Sequence, residues 1–253
     1  MRSVDVQPAG LAVLVTGGTR GIGAGIARGF LRAGARVLVC GRTEPAELPC
    51  ADGRTALFTR ADIRDAEQAA GTVRKSIELF HRLDVVVSNA GGSPYADAAT
   101  ASPRFHAKVI ELNLIAPLHI AQAANAVMQD QGSGSIIMVG SVSGTRPSPG
   151  TAAYGAAKAG LHHLVTSLAI EWGPAVRINC VVPGFVATEA VAEQYGAPAT
   201  VAAVAATVRG SPYCSATASV ATKPGTTQLI LTAGPHSMAR LVTRWCRPAL
   251  AAP

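Results

Sequence analysis

The stretch LAVLVTGGTRGIGAGIARGFL, residues 11–31, decides the fold of this 253-residue chain. Its first five residues, Leu11–Val15, are apolar and predict a buried β-strand that runs directly into a glycine-rich turn. The spacing of Ile26, Phe30 and Leu31 predicts a helix after the turn. Glycines permit a tight turn and a close approach of the backbone to a ligand, and a helix N-terminus favours an anion. The stretch therefore predicts a strand–turn–helix unit that cradles a pyrophosphate.

Strand and helix candidates alternate beyond this first unit. Further strands are predicted at residues 36–40, 56–59, 84–88, 135–139 and 176–182, and helices near 22–33, 65–80, 107–129 and 152–172. Short apolar runs that alternate with helices predict a parallel sheet covered on both faces. Ligands of such sheets bind outside the carboxyl ends of the strands, and the motifs described below follow strand ends.

The composition excludes several classes of protein. The chain is 49% hydrophobic and 15% charged, which argues against disorder. No apolar run reaches the ~20 residues of a membrane helix, and the N-terminus lacks the apolar segment of a secretory signal. The five scattered cysteines show no metal-ligand spacing, so we expect free thiols, no metal and a cytoplasmic location without membrane contact.

The net charge of +7 is unevenly distributed. Residues 1–193 carry 17 basic and 15 acidic side chains, whereas residues 194–253 carry five basic side chains and no acidic one. The excess of positive charge belongs to the C-terminal part and forms no basic stripe interleaved with aromatic residues. Nucleic-acid binding is therefore not expected.

A second group of residues carries a catalytic pattern. Ser141 follows the apolar run SIIMVG, which predicts a buried strand, while Tyr154 and Lys158 lie four residues apart in an alanine-rich segment. Residues at this spacing leave the same face of a helix. With a strand-end hydroxyl opposite this face, the three residues would provide a proton donor in Tyr154, a cation that tunes its pKa in Lys158 and a second donor in Ser141. Ser143 is the rival hydroxyl, and it matches the spacing less well.

These motifs together resemble the compact single-domain branch of the short-chain dehydrogenase/reductase family, over about residues 11–188. The motifs are Thr16-Gly17-x-x-x-Gly21-Ile22-Gly23, Asp62 in ADIRD, Asn89-Ala90-Gly91, Asn113 in ELNLIAPL, the set of Ser141, Tyr154 and Lys158, and Pro183-Gly184-Phe185-Val186-Ala187-Thr188. The resemblance implies a single α/β domain with a Rossmann-like, doubly wound parallel sheet in three α/β/α layers. It also implies an oxidoreductase that moves a hydride between nicotinamide and a carbonyl or alcohol.

The resemblance gives each catalytic residue a role. Tyr154 acts as acid in reduction and as base in oxidation, and Lys158 lowers the pKa of Tyr154 and holds the nicotinamide ribose. Ser141 hydrogen-bonds the substrate oxygen, and Asn113 anchors a water-mediated proton relay behind Lys158. His162 follows Lys158 by four residues, which fits a relay, but a core or helix-contact role is the expected one.

The resemblance also implies a set of cofactor-binding residues. They are Gly17, Thr19, Arg20, Gly21, Ile22, Gly23, Arg42, Asp62, Ile63, Asn89, Ala90, Gly91, Tyr154, Lys158, Pro183, Gly184, Val186 and Thr188. Relatives that prefer NAD(H) carry an acid at the end of the second strand. Gly41 stands at this position and Arg42 follows it, while Arg20 lies in the glycine turn. Because two guanidinium groups would meet a 2′-phosphate, NADP(H) is predicted, with NAD(H) as the second choice.

The resemblance weakens after Thr188. We expect an N-terminal extension at residues 1–10, a dinucleotide-binding and catalytic domain at 11–208, and an atypical tail at 209–253 with a candidate last strand near 227–234. The tail is a divergent folded end, a flexible basic segment, or the product of a frame shift near codon 208.

Two further predictions depend on that tail. The family commonly forms dimers or tetramers through two long helices, here 107–129 and 152–172, and a homodimer or homotetramer is expected if the tail permits. The alternative to an active enzyme is a catalytically weak or inactive nucleotide-binding or interaction protein of the same fold.

Overall fold

The computed structural model describes residues 10–184, 186 and 228–231. The elements in chain order are β1 (Ala12–Thr16), α1 (Gly21–Arg32), β2 (Arg36–Gly41), β3 (Cys50–Ala51), β4 (Arg54–Thr55), β5 (Leu57–Arg60), α2 (Ala66–Phe80), β6 (Val85–Ser88), α3 (Pro103–Ile110), a π-helical turn (Glu111–Ile115), α4 (Ala116–Asp130), β7 (Gly134–Val139), a 3₁₀ turn (Val142–Gly144), α5 (Ala152–Trp172), β8 (Val176–Pro183) and β9 (Gln228–Leu231).

Seven strands form one parallel sheet in the order β5-β2-β1-β6-β7-β8-β9. The chain runs outward from β1 to β5 and then starts again on the other side of β1 with β6. Val15 pairs with Val39 of β2 and with Val87 of β6, so the carboxyl ends of these three strands lie at one edge. The order of strands reverses between β1 and β6, and such a switch point opens a crevice for a ligand. The predicted doubly wound parallel sheet is confirmed.

Helices cover both faces of the sheet. Alternate residues of β1 point to opposite sides, so Val13 and Val15 pack with Phe30 of α1, while Leu14 belongs to the core formed with α2, α4 and α5. Leu161 of α5 is fully buried in that second core. The predicted three-layer α/β/α arrangement is therefore present.

A short hairpin occupies the connection between β2 and β5. Strands β3 and β4 pair antiparallel around Asp52 and Gly53, whose φ angles are +50° and +74°. Two central residues with positive φ define a type I′ turn, for which Asp-Gly is a preferred sequence. No element was predicted from the sequence at these residues, although the Asp-Gly dipeptide favours a hairpin.

The long helix predicted at 107–129 is three segments. It begins earlier because the Ser102 hydroxyl accepts a hydrogen bond from the backbone N–H of Phe105, 3.1 Å away, and Pro103 occupies the first turn. The π-helical turn Glu111–Ile115 then separates α3 from α4. The apolar spacing predicts a helix through this region but does not reveal the extra residue in the turn.

Strand β9 lies within the stretch 227–234 and pairs parallel with β8, with Val181 opposite Leu229. The predicted N-terminal extension before Gly10, the predicted boundary at residue 208 and the predicted cofactor contact of Thr188 lie outside the described residues. None of the helices that the structure describes is long and apolar enough to cross a membrane.

Candidate active site

The glycine turn after β1 packs directly against the segment that follows β6. Gly17 has a φ of +60°, and a Cβ there would lie 3.0 Å from the Cα of Ala90. A Cβ on Gly23 would overlap the carbonyl oxygen of Gly17 and lie 2.5 Å from Nδ2 of Asn89. Only glycine fits at these positions, so the backbone itself forms the floor of the crevice.

Hydrogen bonds join the ends of β1 and β6. The Thr16 hydroxyl accepts the backbone N–H groups of Asn89 and Ala90, each at 3.0 Å. The Asn89 side-chain amide donates to the carbonyl oxygens of Thr16 at 2.9 Å and Gly17 at 3.2 Å. Thr16 is fully buried, so these bonds form without competition from water. They fix the glycine turn relative to the neighbouring strand.

Helix α5 presents Tyr154 and Lys158 to the same site. The Lys158 Nζ atom donates to the carbonyl oxygen of Val139 at 2.8 Å and lies 5.7 Å from the centroid of the Tyr154 ring. Lys158 is only 3% exposed, and this burial lowers its pKa to about 8. The spacing of four residues thus brings the two side chains together at the end of β7, as the helical pattern predicts.

Ser141 lies beside Tyr154. Burial raises the pKa of Tyr154, and a hydrogen bond with the Ser141 side chain acts in the opposite direction. This differs from the expectation that Lys158 lowers the pKa of Tyr154, because removal of the phenol from water dominates. The Ser141 Oγ atom also accepts the backbone N–H of Ser143 at 3.1 Å. The rival hydroxyl of Ser143 instead accepts a hydrogen bond from the Ser148 hydroxyl at 3.1 Å.

Asn113 lies in the π-helical turn and is fully buried. Its side-chain oxygen accepts the N–H of Gly92, and its amide donates to the carbonyl oxygens of Gly92 and Val109, each at 2.9 Å. A Cβ on Gly91 would lie 2.7 Å from Asn113 Oδ1 and 3.4 Å from Lys158 Nζ. Asn113 therefore braces the loop after β6 directly behind Lys158, and the water relay stays a prediction.

A cavity of about 700 Å³ connects the glycine turn with the Tyr154 end. The predicted residues that line it are Gly17, Thr19, Arg20, Gly21, Ile22, Gly23, Arg42, Asp62, Ile63, Asn89, Ala90, Gly91, Ser141, Tyr154, Lys158, Pro183 and Gly184. Val186 is buried but does not line the cavity. Within the described residues, no group of three or more His, Cys, Asp and Glu side chains is arranged to hold a metal ion.

The cavity also has lining residues that were not predicted from the sequence. The run 43–45 continues the wall after Arg42 and includes the carboxylate of Glu44. Arg64 donates from Nε to Asp62 Oδ1 at 2.9 Å, and this contact lowers the pKa of Asp62. Their place in the sequence could have indicated that they line the cavity, because they lie within three positions of predicted site residues.

Comparison with known proteins identifies the family. The family model for short chain dehydrogenases matches residues 11–198. The chain belongs to the short-chain dehydrogenase/reductase family. It is therefore an oxidoreductase of a family that uses NAD(P) cofactors.

Several relatives of this dehydrogenase/reductase span most of its length. It is 35% identical over 185 residues to a 3-oxoacyl-acyl-carrier-protein reductase from Chlamydia muridarum, covering 70% of this chain and 75% of that protein. It is 36% identical over 190 residues to a sorbose reductase from Schizosaccharomyces pombe, covering 71% and 74%. A solved short chain dehydrogenase/reductase family protein superposes with a TM-score of 0.74 at 28% identity, covering 94% and 90%. Levodione reductase, at 22% identity and a TM-score of 0.76 over 94% and 91%, shows the same fold.

The cavity of this family member fits a dinucleotide. Gly17, Gly21 and Gly23 line the cavity without side chains of their own, and helix α1 begins at Gly21. Backbone N–H groups and the helix dipole at such a turn suit a pyrophosphate. The chemistry of these groups agrees with the family's use of NAD(P).

Proposed function

We propose that this protein is an NADP(H)-dependent carbonyl reductase or alcohol dehydrogenase in which Tyr154 is the acid/base. One observation carries the proposal. Ser141, Tyr154 and the buried amine of Lys158 are grouped at one end of a cavity whose other end is the glycine turn. A dinucleotide that spans this cavity would have one end beside these three side chains, which suit proton transfer.

The protein's residues supply the proton and the electrostatic support. The nicotinamide, when bound, provides or accepts the hydride at the substrate carbon. In reduction, Tyr154 donates its phenolic proton to the carbonyl oxygen, and in oxidation it takes that proton back. Ser141 donates a hydrogen bond to the same oxygen as negative charge develops there.

The pKa values fit these roles. Because burial raises the pKa of Tyr154, the phenol stays protonated at neutral pH and is ready to act as the acid in reduction. Lys158, whose burial lowers its pKa to about 8, remains mostly protonated at pH 7 and stabilises the phenolate that forms after proton transfer. The protonation states of the two groups therefore suit reduction at neutral pH.

The preference for NADP(H) rests on charge at the other end of the cavity. Arg20 and Arg42 line it and are exposed, and Gly41 stands where an acid would bind ribose hydroxyls. A dianionic 2′-phosphate gains charge-assisted hydrogen bonds from guanidinium groups. Glu44 lines the same wall and is the group that would hold ribose hydroxyls in the NAD(H) alternative.

A Tyr154→Phe variant tests the catalytic part of the proposal. We expect NADPH affinity, measured by calorimetric titration, to stay within about threefold of wild type, while turnover of carbonyl substrates falls by about 10²–10⁴-fold. Tyr95→Phe is the matched control, because Tyr95 is 67% exposed and does not line the cavity. Near-wild-type turnover in Tyr154→Phe refutes the role. Tight cofactor binding by the wild type without turnover of any carbonyl compound favours the non-catalytic alternative.

An Arg42→Leu variant tests the cofactor preference. We expect NADPH affinity to fall by about 10-fold or more while NADH affinity changes little, because only NADPH carries the 2′-phosphate that this guanidinium would meet. Arg28→Leu is the control, since Arg28 is an exposed arginine of α1 outside the cavity lining. Wild-type protein that binds NADH more tightly than NADPH contradicts the preference.

A further inference from the structure

The side chain of His162 lies against the loop that carries Ser141. His162 follows Lys158 by one helical turn and Tyr154 by two, so α5 presents all three on one face. Its Nε2 atom accepts the backbone N–H of Ser141 at 3.5 Å. The helix that supplies the proton donor thus also contacts the backbone of the serine.

Two glycines let the loop close over the His162 ring. A Cβ on Gly140 would overlap Nε2 and lie 2.9 Å from Cδ2 of His162, and a Cβ on Gly144 would lie 2.8 Å from Cε1. Gly144 also approaches the backbone of Ala159, where its Cβ would lie 2.7 Å from the backbone nitrogen. Because the backbone touches the ring on both sides of Ser141, the ring sets where that segment lies above α5.

The electrostatic surroundings keep His162 an acceptor. Burial, together with the charge of Lys158, lowers the pKa of His162 to about 4. Cys180 of β8 faces Gly140 from another side, with its Sγ 2.8 Å from a Cβ built there, and burial raises its pKa to about 12. The 3₁₀ turn Val142–Gly144 contributes no titratable side chain. His162 is therefore neutral at neutral pH, and acceptance at Nε2 requires that Nδ1 carries the proton.

We propose that His162 is a positioning residue for Ser141, whose backbone N–H it accepts so that the Ser141 hydroxyl is held against Tyr154. The significance of this contact for turnover rests on the proposed function of Ser141 and Tyr154. In this proposal, the helix-contact role expected for His162 is to hold the Ser141 loop in place. The neighbouring His163 is exposed and shares none of these contacts with the site loop.

The first test reads the imidazole directly and requires no turnover. We expect ¹⁵N NMR of the wild-type protein to show His162 as the neutral Nδ1–H tautomer across the neutral pH range. An Nε2–H tautomer, or a ring that titrates like an ordinary histidine near pH ~6.5, overturns the proposal. This result is independent of whether the protein reduces any carbonyl.

The second test compares three variants. His162→Leu removes the acceptor, His162→Gln keeps an acceptor oxygen, and His163→Leu is the control on the exposed side of the same helix. We expect His162→Leu to lower kcat by about 10-fold while the NADPH Kd changes by less than about twofold, and His162→Gln to recover most of kcat. His163→Leu should behave as wild type.

A measurement of the Tyr154 pKa shows whether His162 positions Ser141 or only fills space beside it. Because the Ser141 hydrogen bond lowers this pKa, loss of the serine's position in His162→Leu should raise it. The shift is read by ultraviolet titration of the phenol, with Tyr154→Phe as the blank, and it remains measurable if the proposed activity is absent. An unchanged Tyr154 pKa in folded His162→Leu overturns the proposal. If His162→Leu does not fold, the Gln variant and the wild-type tautomer decide.

Discussion

The two ends of the cavity are built by opposite means. At the glycine end, the surface is backbone, and side chains are absent where Gly17 and Gly23 pack against their neighbours. At the catalytic end, polar side chains form the surface: Lys158, which lines the cavity, is held by the carbonyl oxygen of Val139, and Asn113 behind it is held by the backbone of Gly92.

This difference determines how each end responds to substitution. An added methyl group at Gly17 or Gly23 meets backbone atoms of Ala90 or Gly17, which cannot rotate away, and the hydrogen-bonded side-chain amide of Asn89. Removal of a polar atom at the catalytic end leaves the packing in place and changes charge and proton affinity instead. We therefore expect changes at the first end to abolish binding, and changes at the second to alter turnover and titration while binding is kept.

The largest effect is expected for Gly23→Ala. Its new Cβ overlaps the carbonyl oxygen of Gly17 and approaches Nδ2 of Asn89 to 2.5 Å, so the turn must move off the end of β6. We expect NADPH binding, measured by calorimetric titration, to fall below detection, and the free energy of unfolding to decrease by about 1–3 kcal/mol.

Gly71→Ala is the matched control for that substitution. Gly71 lies inside α2, and its nearest atom to a new Cβ is Arg74 Nη2 at 3.6 Å, an ordinary contact. We expect this variant to bind NADPH normally and to gain about 0.5–1 kcal/mol of stability, since alanine is the better helix former. If Gly23→Ala binds NADPH as tightly as Gly71→Ala, the close backbone packing at Gly23 is not needed for cofactor binding, which contradicts the prediction.

A smaller effect, on turnover alone, is expected for Ser141→Ala. The variant removes one hydrogen-bond donor to the substrate oxygen, which typically costs about 10²-fold in kcat. It leaves the bond from Lys158 to Val139 unchanged, so NADPH affinity should be that of wild type.

Ser143→Ala distinguishes the two neighbouring hydroxyls. The Ser143 hydroxyl is bonded to Ser148 and does not line the cavity, so its loss should change kcat by less than about threefold. Steady-state kinetics in which Ser143→Ala is a slower enzyme than Ser141→Ala would reverse the assignment of the two serines.

The sequence predicted the sheet because apolar runs and helical spacing are local signals. The strand 36–40 and the helix 152–172 agree with β2 and α5 to within a residue. The strands of the hairpin at Cys50–Thr55 were not predicted because they are two residues long and carry no alternating apolar pattern. The π-helical turn Glu111–Ile115 was not predicted because one extra residue in a single turn barely changes the spacing of apolar residues.

The site was predicted where a motif fixes a local geometry and missed where the geometry depends on distant contacts. The positions of Tyr154 and Lys158 follow from helical spacing alone. The raised pKa of Tyr154 does not, because it depends on burial by segments far apart in the chain. The contact between His162 and Ser141 likewise needs the loop to fold back on α5, which no local pattern encodes.

The smallest effect concerns stability against pH, and it tests whether the catalytic end is truly buried. The pKa of Lys158 falls from its ordinary 10.5 to about 8 in the folded protein. Between these values the unfolded chain binds a proton that the folded protein does not, so stability rises with pH in this window. Relative to a Lys158→Met variant, wild type should gain about 1 kcal/mol between about pH 8 and pH 9.

Urea unfolding of both proteins across that range measures the gain as a difference. The comparison is needed because burial raises the pKa of Cys40 and Cys180 to about 12, so above pH ~9 these thiols make the folded state less stable as pH rises. Both proteins contain these cysteines, so their effect largely cancels and the remaining slope belongs to Lys158. A flat difference would mean that the amine is equally hydrated in the folded and unfolded states. In that case, the catalytic end would be a solvated surface, and its contrast with the glycine end would disappear.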